Sequence, residues 1–339
     1  MDIVLHLGAH RCGTTTLQNF LLRNRLALRG AGMEIWTPDR IRSGLFGGLM
    51  HSPEEVTAQT NLRAQRSQGI IAIETARLRR DGFSTLLVSE ENMIGAIRGN
   101  LGQGQIYPHL RERLARMRPA FPAPVRRIGL AVRSYETYWA SALAYGIGQD
   151  MRLPTEAELD RLVTQPRRWR HVVADVAAVF CEAEIVVWPF ERLVGQPEMQ
   201  LQLLAGGMQT ALPLSGARDW VNASPRRDKL RRLLHLRGDE DGARRIAPGD
   251  DRLMPFDPAQ QRALRAQYQA DLVWLRAGAD GLARFYDRVD PGAVDAANGQ
   301  ITLKITRQID RDDVIGAGAD WERLRPDGGQ SLGRQDIMV

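Results

Sequence analysis

The sequence predicts an α/β protein: a three-layer fold with a central, mainly parallel five-stranded sheet flanked by helices. Five short β-branched or apolar runs, residues 3–7, 33–36, 85–89, 127–132 and 184–188, alternate with longer segments of helical period. The gaps between them exceed the dozen or so residues that a crossover between parallel strands needs. Composition agrees: 339 residues, 43% hydrophobic and 25% charged with a mean hydropathy of −0.32, can build a core without spanning a membrane or staying disordered.

Taken in order, the opening run 3–7 leads through a glycine-bounded loop into a helix over 14–29. Leu17, Phe20, Leu21 and Leu28 form its apolar stripe, and Gly30 or Gly32 is available to end it. Residues 37–68, with Gly44, Gly47, Gly48 and Pro53 and little periodicity, read as an irregular, lid-like insertion. Gly99, Gly102 and Gly104 mark a second loose stretch. Helical patterns cover 107–117, 134–145, 168–181, 199–205, 225–236 and 258–276. One α/β domain is therefore expected over residues 1–288. Residues 289–339, rich in Gly, Asp and Asn with one strand-like run at 301–305, read as a C-terminal appendage. No internal repeat is present.

Several classes of function are disfavoured. No apolar run approaches the ~18 residues of a membrane span, so no integral membrane segment is expected. Residues 1–7 lack the basic flank and cleavage site of a secretory leader. Two cysteines, Cys12 and Cys181, make neither a disulfide framework nor a zinc site, which fits a reducing compartment and a cytoplasmic location. The formal charge is +6, and residues 1–150 hold 19 arginines against 12 acids, so the excess lies in the half that carries the loop. An anionic ligand is expected there; nucleic acid is not, because no binding motif or aromatic interleaving accompanies the charge.

The loop carries the strongest signal. Gly8-Ala-His10-Arg11-Cys12-Gly13-Thr14-Thr15 joins a strand to a helix with Gly at both ends. Glycine lets the backbone turn its N–H groups inward, and the helix start adds unpaired donors and partial positive charge. Against the P-loop pattern GxxxxGK[ST], Gly8, Gly13 and Thr15 fit but Thr14 stands where the lysine belongs. No strand ends in the Asp that would hold Mg²⁺ beside a triphosphate, so a metal-free donor with fewer phosphates is the better match. Elsewhere, Arg133 ends the fourth run and Ser141 follows eight residues later. With Ser134 as the helix cap, Ser141 lies about 10 Å along and nearly on the same face, where one phosphate can meet both.

The stretch from His10 to Leu17 resembles the 5′-phosphosulfate loop of sulfotransferases that use 3′-phosphoadenylyl sulfate (PAPS), and the Arg133–Ser141 element is similar to that family's 3′-phosphate element. Weaker likenesses lie in Ser89-Glu90-Glu91, in residues 186–193 and in 221–225, and the resemblance covers about residues 2–280 in patches. It implies a P-loop-type α/β fold and transfer of a sulfuryl group from PAPS to an acceptor hydroxyl or amine, with 3′-phosphoadenosine 5′-phosphate (PAP) as product and no metal. On that basis His10, Arg11, Cys12, Gly13, Thr14 and Thr15 would hold the 5′-phosphate, and Arg133 and Ser141 the 3′-phosphate. Arg11 would stabilise charge on the bridging oxygen. Glu91 would be the general base, provided burial raises its pKa, with Glu90 or a histidine as rivals.

The position of Arg11 is usually lysine in that family. Guanidinium cannot donate a proton near neutral pH, although its electrostatic role survives the change. With 44 Arg and only Lys229 and Lys304, the replacement fits a general preference for arginine. Glu91 can also be read as an acid stabilising a helix start, Cys12 as a small buried loop residue, and Tyr135, Tyr138 and Trp139 as core packing or as a stack for adenine. His6, His10 and His51 are each readable as structural. Two other functions remain open at this level: a P-loop kinase using ATP and Mg²⁺, and a nucleotide-binding protein without chemistry. The acceptor and the oligomeric state are not legible.

Overall fold

The computed structural model describes residues 1–206, 212–216 and 224–287, together with the short strands Val294–Asp295 and Gln300–Thr302. All of them belong to one compact unit, Met1–Ile305. Apart from those two strands, the expected appendage 289–339 lies outside the described residues, as do 221–223 of the late loop.

The strands of the main sheet are β1 (Asp2–Gly8), β2 (Met33–Trp36), β3 (Thr85–Ser89), β4 (Val125–Val132), β5 (Glu184–Pro189) and β6 (Arg284–Phe285). The principal helices are α1 (Thr14–Arg23), α2 (Ala58–Arg80), α3 (Leu110–Met117), α4 (Tyr135–Gly148), α5 (Trp169–Val179), α6 (Pro197–Ala205), α7 (Arg227–Leu236) and α8 (Pro258–Arg276). The sheet is parallel throughout, in the order β2-β3-β1-β4-β5-β6. It is flanked by helices: α6 packs over β1 and β4 and against α1, while α3 packs on α5, and α8 on α4 and α5. A separate three-stranded antiparallel ladder joins Pro213–Leu214, Gln300–Thr302 and Val294–Asp295.

The topology places a crevice. The chain leaving β1 travels toward the β2 edge, whereas the chain leaving the adjacent β4 travels toward β5. Loops after neighbouring strands diverge there, and ligands of open α/β sheets bind outside the carboxyl ends at such a point. The Gly8–Gly13 loop and Arg133 are the segments that leave β1 and β4.

The structure corrects the expected elements in four places. The sheet has a sixth strand, two residues long, paired to Val186 and Val187. The helix expected over 14–29 breaks at Asn24, whose side-chain amide donates to the Phe20 carbonyl (2.8 Å) and to Ser215 O (2.9 Å), competing with the helical ladder. The insertion expected to be irregular over 37–68 is helical from Ala58, where Thr57 accepts from the Thr60 N–H as cap. Glycines 99 and 102 lie within a helix, Ile97–Gln103.

Candidate functional site

The loop after β1 is built by three residues in the left-handed region, Gly8 (φ 80°), Arg11 (φ 62°) and Gly13 (φ 79°). A Cβ on Gly8 would stand 2.5 Å from Thr14 Cγ2 and 3.2 Å from Glu91 Cβ, so only glycine lets the loop fold back on the helix it enters. The Cys12 N–H donates to Ala9 O (3.2 Å), closing the turn, and Gly13 caps α1 with no side-chain acceptor. The first turn of α1 carries no acid, so nothing negative on its own helix competes with an incoming anion. Arg11 bears a side chain at a backbone angle that disfavours one, a cost tolerated where function holds it.

The second element meets the first. Arg133, 6% exposed at the end of β4, donates from Nη1 to the Arg11 carbonyl and from Nε to Thr137 Oγ1 (3.1 Å). Its guanidinium lies 4.4 Å from the centre of the Phe190 ring, which follows β5 and also underlies Gly13. The Arg11 side chain reaches the other way: Nε donates to Ser141 Oγ (3.0 Å) and Nη2 to Ser224 Oγ (2.9 Å), and those two hydroxyls are 2.7 Å apart. The expected pairing of Arg133 with Ser141 is thus made through Arg11, whose backbone holds one partner and whose side chain holds the other.

Neither guanidinium has an ion-pair partner among the described residues. Burial, and after it Arg133, pushes the Arg11 proton affinity down; burial does the same to Arg133, only partly offset by the nearby Cys12 and Glu191. Both stay charged at neutral pH. A buried cation without an ion pair is costly; Arg133 is buried and Arg11 half-buried, and both lie at the loop that leads into α1. The site therefore fits an anion.

On the β3 side, Glu90 and Glu91 follow the strand. Glu90 is fully buried, accepts from the Asn92 N–H (2.9 Å) and is gripped by Arg42 through Nε (2.9 Å) and Nη2 (2.6 Å). Glu91 accepts from Arg42 Nη2 (2.9 Å) and from Gln18 Nε2 (2.8 Å), one turn into α1. The expectation that burial leaves Glu91 with a raised pKa is overturned. Burial does push it up, but His10, the Gln18 bond, a backbone bond and Arg42 together outweigh that and hold it below the usual range. Burial raises the Glu90 carboxyl instead. Glu91 also opens a short 3₁₀ turn, Glu91–Met93, as its helix-start reading anticipated.

The histidines are structural in their contacts. His10 Nε2 faces Asn92 Oδ1 (3.0 Å), an acceptor, so it carries the proton; Nδ1 then accepts from the Tyr107 hydroxyl (3.1 Å). Tyr107 Oη also accepts from the His10 N–H (2.8 Å), pinning the loop, and Asn100 ties Tyr107 to Tyr138 of α4 through its Oδ1 (3.0 Å) and Nδ2 (2.9 Å). His6 bonds Ser89 Oγ (2.8 Å) and lies stacked beside Trp188; burial lowers its pKa to about 4. His51 stands 3.6 Å from Glu55. Cys12 is buried and its thiol is pushed up to about 12, first by that burial, so it is inert. Tyr135, Tyr138 and Trp139 are fully buried, which removes them as a stack for a ligand.

Of the residues singled out in the sequence, the structure brings Arg11, Cys12, Gly13, Arg133 and Ser141 together, with Thr14 and Thr15 at the start of α1 and Glu91 against Gly8. Ser134 occupies the α4 cap position, but its hydroxyl bonds Glu136 rather than a backbone N–H. Missed were Arg42, Gln18, Tyr107, Asn92 and Asn100, of which Gln18, one helical turn from Thr14, had a sequence signal; Phe190 and Ser224 fall in the stretches 186–193 and 221–225, where the sequence carries a likeness but no role. Comparison of the chain with protein-family models, curated proteins and solved structures gives no match.

Proposed function

We propose that the chain is a sulfotransferase that moves the sulfuryl group of PAPS to an acceptor hydroxyl or amine by in-line transfer. One observation carries the reading: the buried Arg133 and the half-buried Arg11, neither in an ion pair among the described residues, meet at the glycine loop where β1 and β4 diverge. A ligand with two phosphates supplies the ion-pair partner that neither has among the described residues. The resemblance of the same residues to the PAPS-binding elements supports the choice of adenylate.

In this reading the N–H groups at the start of α1, with Thr14 and Thr15, hold the 5′-phosphate. Arg133 and Ser141 hold the 3′-phosphate. Arg11 exchanges its two serine hydroxyls for the donor and stabilises charge on the bridging oxygen. The acceptor oxygen bonds to sulfur as the bond from sulfur to that bridging oxygen breaks, and the electron pair leaves with the phosphate. Glu91, ionised at neutral pH, takes the acceptor's proton; its depressed pKa makes it a modest base, so positioning supplies most of the acceleration. The chain is read as acting without nucleic acid and without a resident metal.

Titration calorimetry with PAP, with ATP, and with ATP plus Mg²⁺ tests the donor. PAP is expected to bind most tightly; preference for ATP with Mg²⁺ would favour a kinase. Tight PAP binding without added sulfuryl on any acceptor, followed by mass spectrometry, would favour a nucleotide-binding protein without chemistry.

A further inference from the structure

Helix α4 buries nearly every side chain it carries, and Tyr145 is its one exposed residue, at 40%. The ring stands one helical turn beyond Ser141, on the same face. It borders the candidate site: the Arg11 guanidinium carbon lies 5.3 Å from the ring centre. The helix is packed closely just beyond it. A Cβ on Gly146 would stand 2.9 Å from Met151 Sδ and 3.0 Å from Leu101 Cδ1, and Gly146 O accepts from the N–H groups of Gln149 (2.8 Å) and Met151 (3.0 Å). The Tyr145 hydroxyl makes no hydrogen bond among the described residues, so the ring, not the phenol oxygen, is what Arg11 meets.

Three contacts therefore hold the Arg11 guanidinium: Nε on Ser141 Oγ (3.0 Å), Nη2 on Ser224 Oγ (2.9 Å), and the Tyr145 ring. They are not equivalent. The two hydroxyls accept N–H groups, and an incoming phosphate competes for those same donors. The ring takes none of them. Its attraction acts on the cation as a whole through the ring quadrupole, so it persists when the guanidinium changes hydrogen-bond partners. It also suits arginine in particular: guanidinium is planar, weakly hydrated and able to stack on aromatic faces, whereas a lysine ammonium is strongly hydrated. Where the resemblance leads one to expect lysine, this chain sets a ring beside the arginine that stands there.

We propose that Tyr145 is a positioning residue for Arg11, its ring keeping the guanidinium at the 5′-phosphate side of the site while the donor displaces Ser141 and Ser224 from it. The inference rests on the sulfuryl-transfer reading and deepens it, adding a residue that acts on the donor only through Arg11.

The test is calorimetry of Tyr145 variants with PAP, adenosine 5′-phosphate and adenosine 3′-phosphate. Tyr145→Leu is expected to weaken the two ligands that carry a 5′-phosphate by about two- to fivefold and to leave adenosine 3′-phosphate unchanged. A merely structural disturbance of α4 would reach Ser141 and weaken all three. Tyr145→Phe, which keeps the ring, should bind as wild type does. In an Arg11→Met background, where the charge is gone and the chain length kept, Tyr145→Leu should cause no further loss. Wild-type affinity in Tyr145→Leu, an equal loss for all three ligands, a Tyr145→Phe variant as weak as Tyr145→Leu, or the same loss persisting without the Arg11 charge would overturn the inference. Failure of wild-type protein to bind PAP would instead reject the donor reading; urea unfolding of the same single and double variants would then still decide whether ring and guanidinium are coupled.

Discussion

Substituting Arg133 by Ala separates binding from stability in a way few other positions allow. In the proposed complex its guanidinium meets one phosphate through charge-assisted hydrogen bonds, each contributing about 1.5–3 kcal/mol. Loss of about 2–3 kcal/mol corresponds to roughly 30- to 150-fold weaker PAP binding. Stability of the free protein responds differently. The variant loses the bonds to the Arg11 carbonyl and Thr137 and the contact with Phe190, but it also removes a buried cation without an acidic partner. These oppose one another, so a net cost of only about 1–2 kcal/mol is expected in urea unfolding. Calorimetry with PAP and with adenosine 5′-phosphate completes the assay: PAP should weaken while the 5′-monophosphate, which lacks the group Arg133 reads, should not. Unchanged PAP affinity, or an equal loss for both ligands, would refute the assignment.

Three further outcomes are expected. Glu91→Gln should lower turnover at least about tenfold with PAP affinity unchanged, since the carboxylate faces Gln18 and Arg42 rather than the phosphate donors; an unaltered rate would remove it as base. Tyr107→Phe should cost about 1–3 kcal/mol in unfolding free energy, because the hydroxyl that accepts from the His10 N–H and faces its Nδ1 is lost, and it should loosen PAP binding through the loop; wild-type stability and affinity would show that this strut is dispensable. His6, lowered to about 4 from 6.5, binds fewer protons folded than unfolded between those values. Its contribution is present above pH 6.5 and lost as pH falls toward 4, by up to about 3 kcal/mol. His6→Asn should flatten that part of the stability profile, and an equally steep profile in the variant would contradict the assignment.

The parts of the fold legible in sequence were those with a local cause. Gly8 and Gly13 bracket a loop that only positive φ can close, and the five longer strands announced themselves as apolar runs between helical periods. What was illegible had a distant or blurred cause. The α2 helix buries Ala64, Ser67, Ile71, Thr75 and Leu78 but exposes Leu62 (67%) and Ile73 (71%), so its apolar residues show no single stripe. The break at Asn24 depends on Ser215, and the His10 strut on Tyr107, contacts that no window around residue 24 or 10 contains. A two-residue strand such as β6 has no period to read. Within the site, residue types located Arg11, Arg133 and Ser141, but that the Arg11 guanidinium lies on Ser141 and Ser224 is a matter of side-chain direction. The sign of the Glu91 shift likewise depended on His10 and the Gln18 bond first, with Arg42 adding to them, neighbours that no window around residue 91 contains.

The central claim is that the segments after β1 and β4 grip two phosphates of one adenylate. Comparing the affinities of wild-type protein for PAP, adenosine 5′-phosphate and adenosine 3′-phosphate tests it most directly. Each monophosphate forfeits one charge-assisted contact set, so both should bind roughly 30-fold or more weakly than PAP. Equal affinity of PAP and either monophosphate would mean that the corresponding arginine or loop holds no phosphate, and the account would fail.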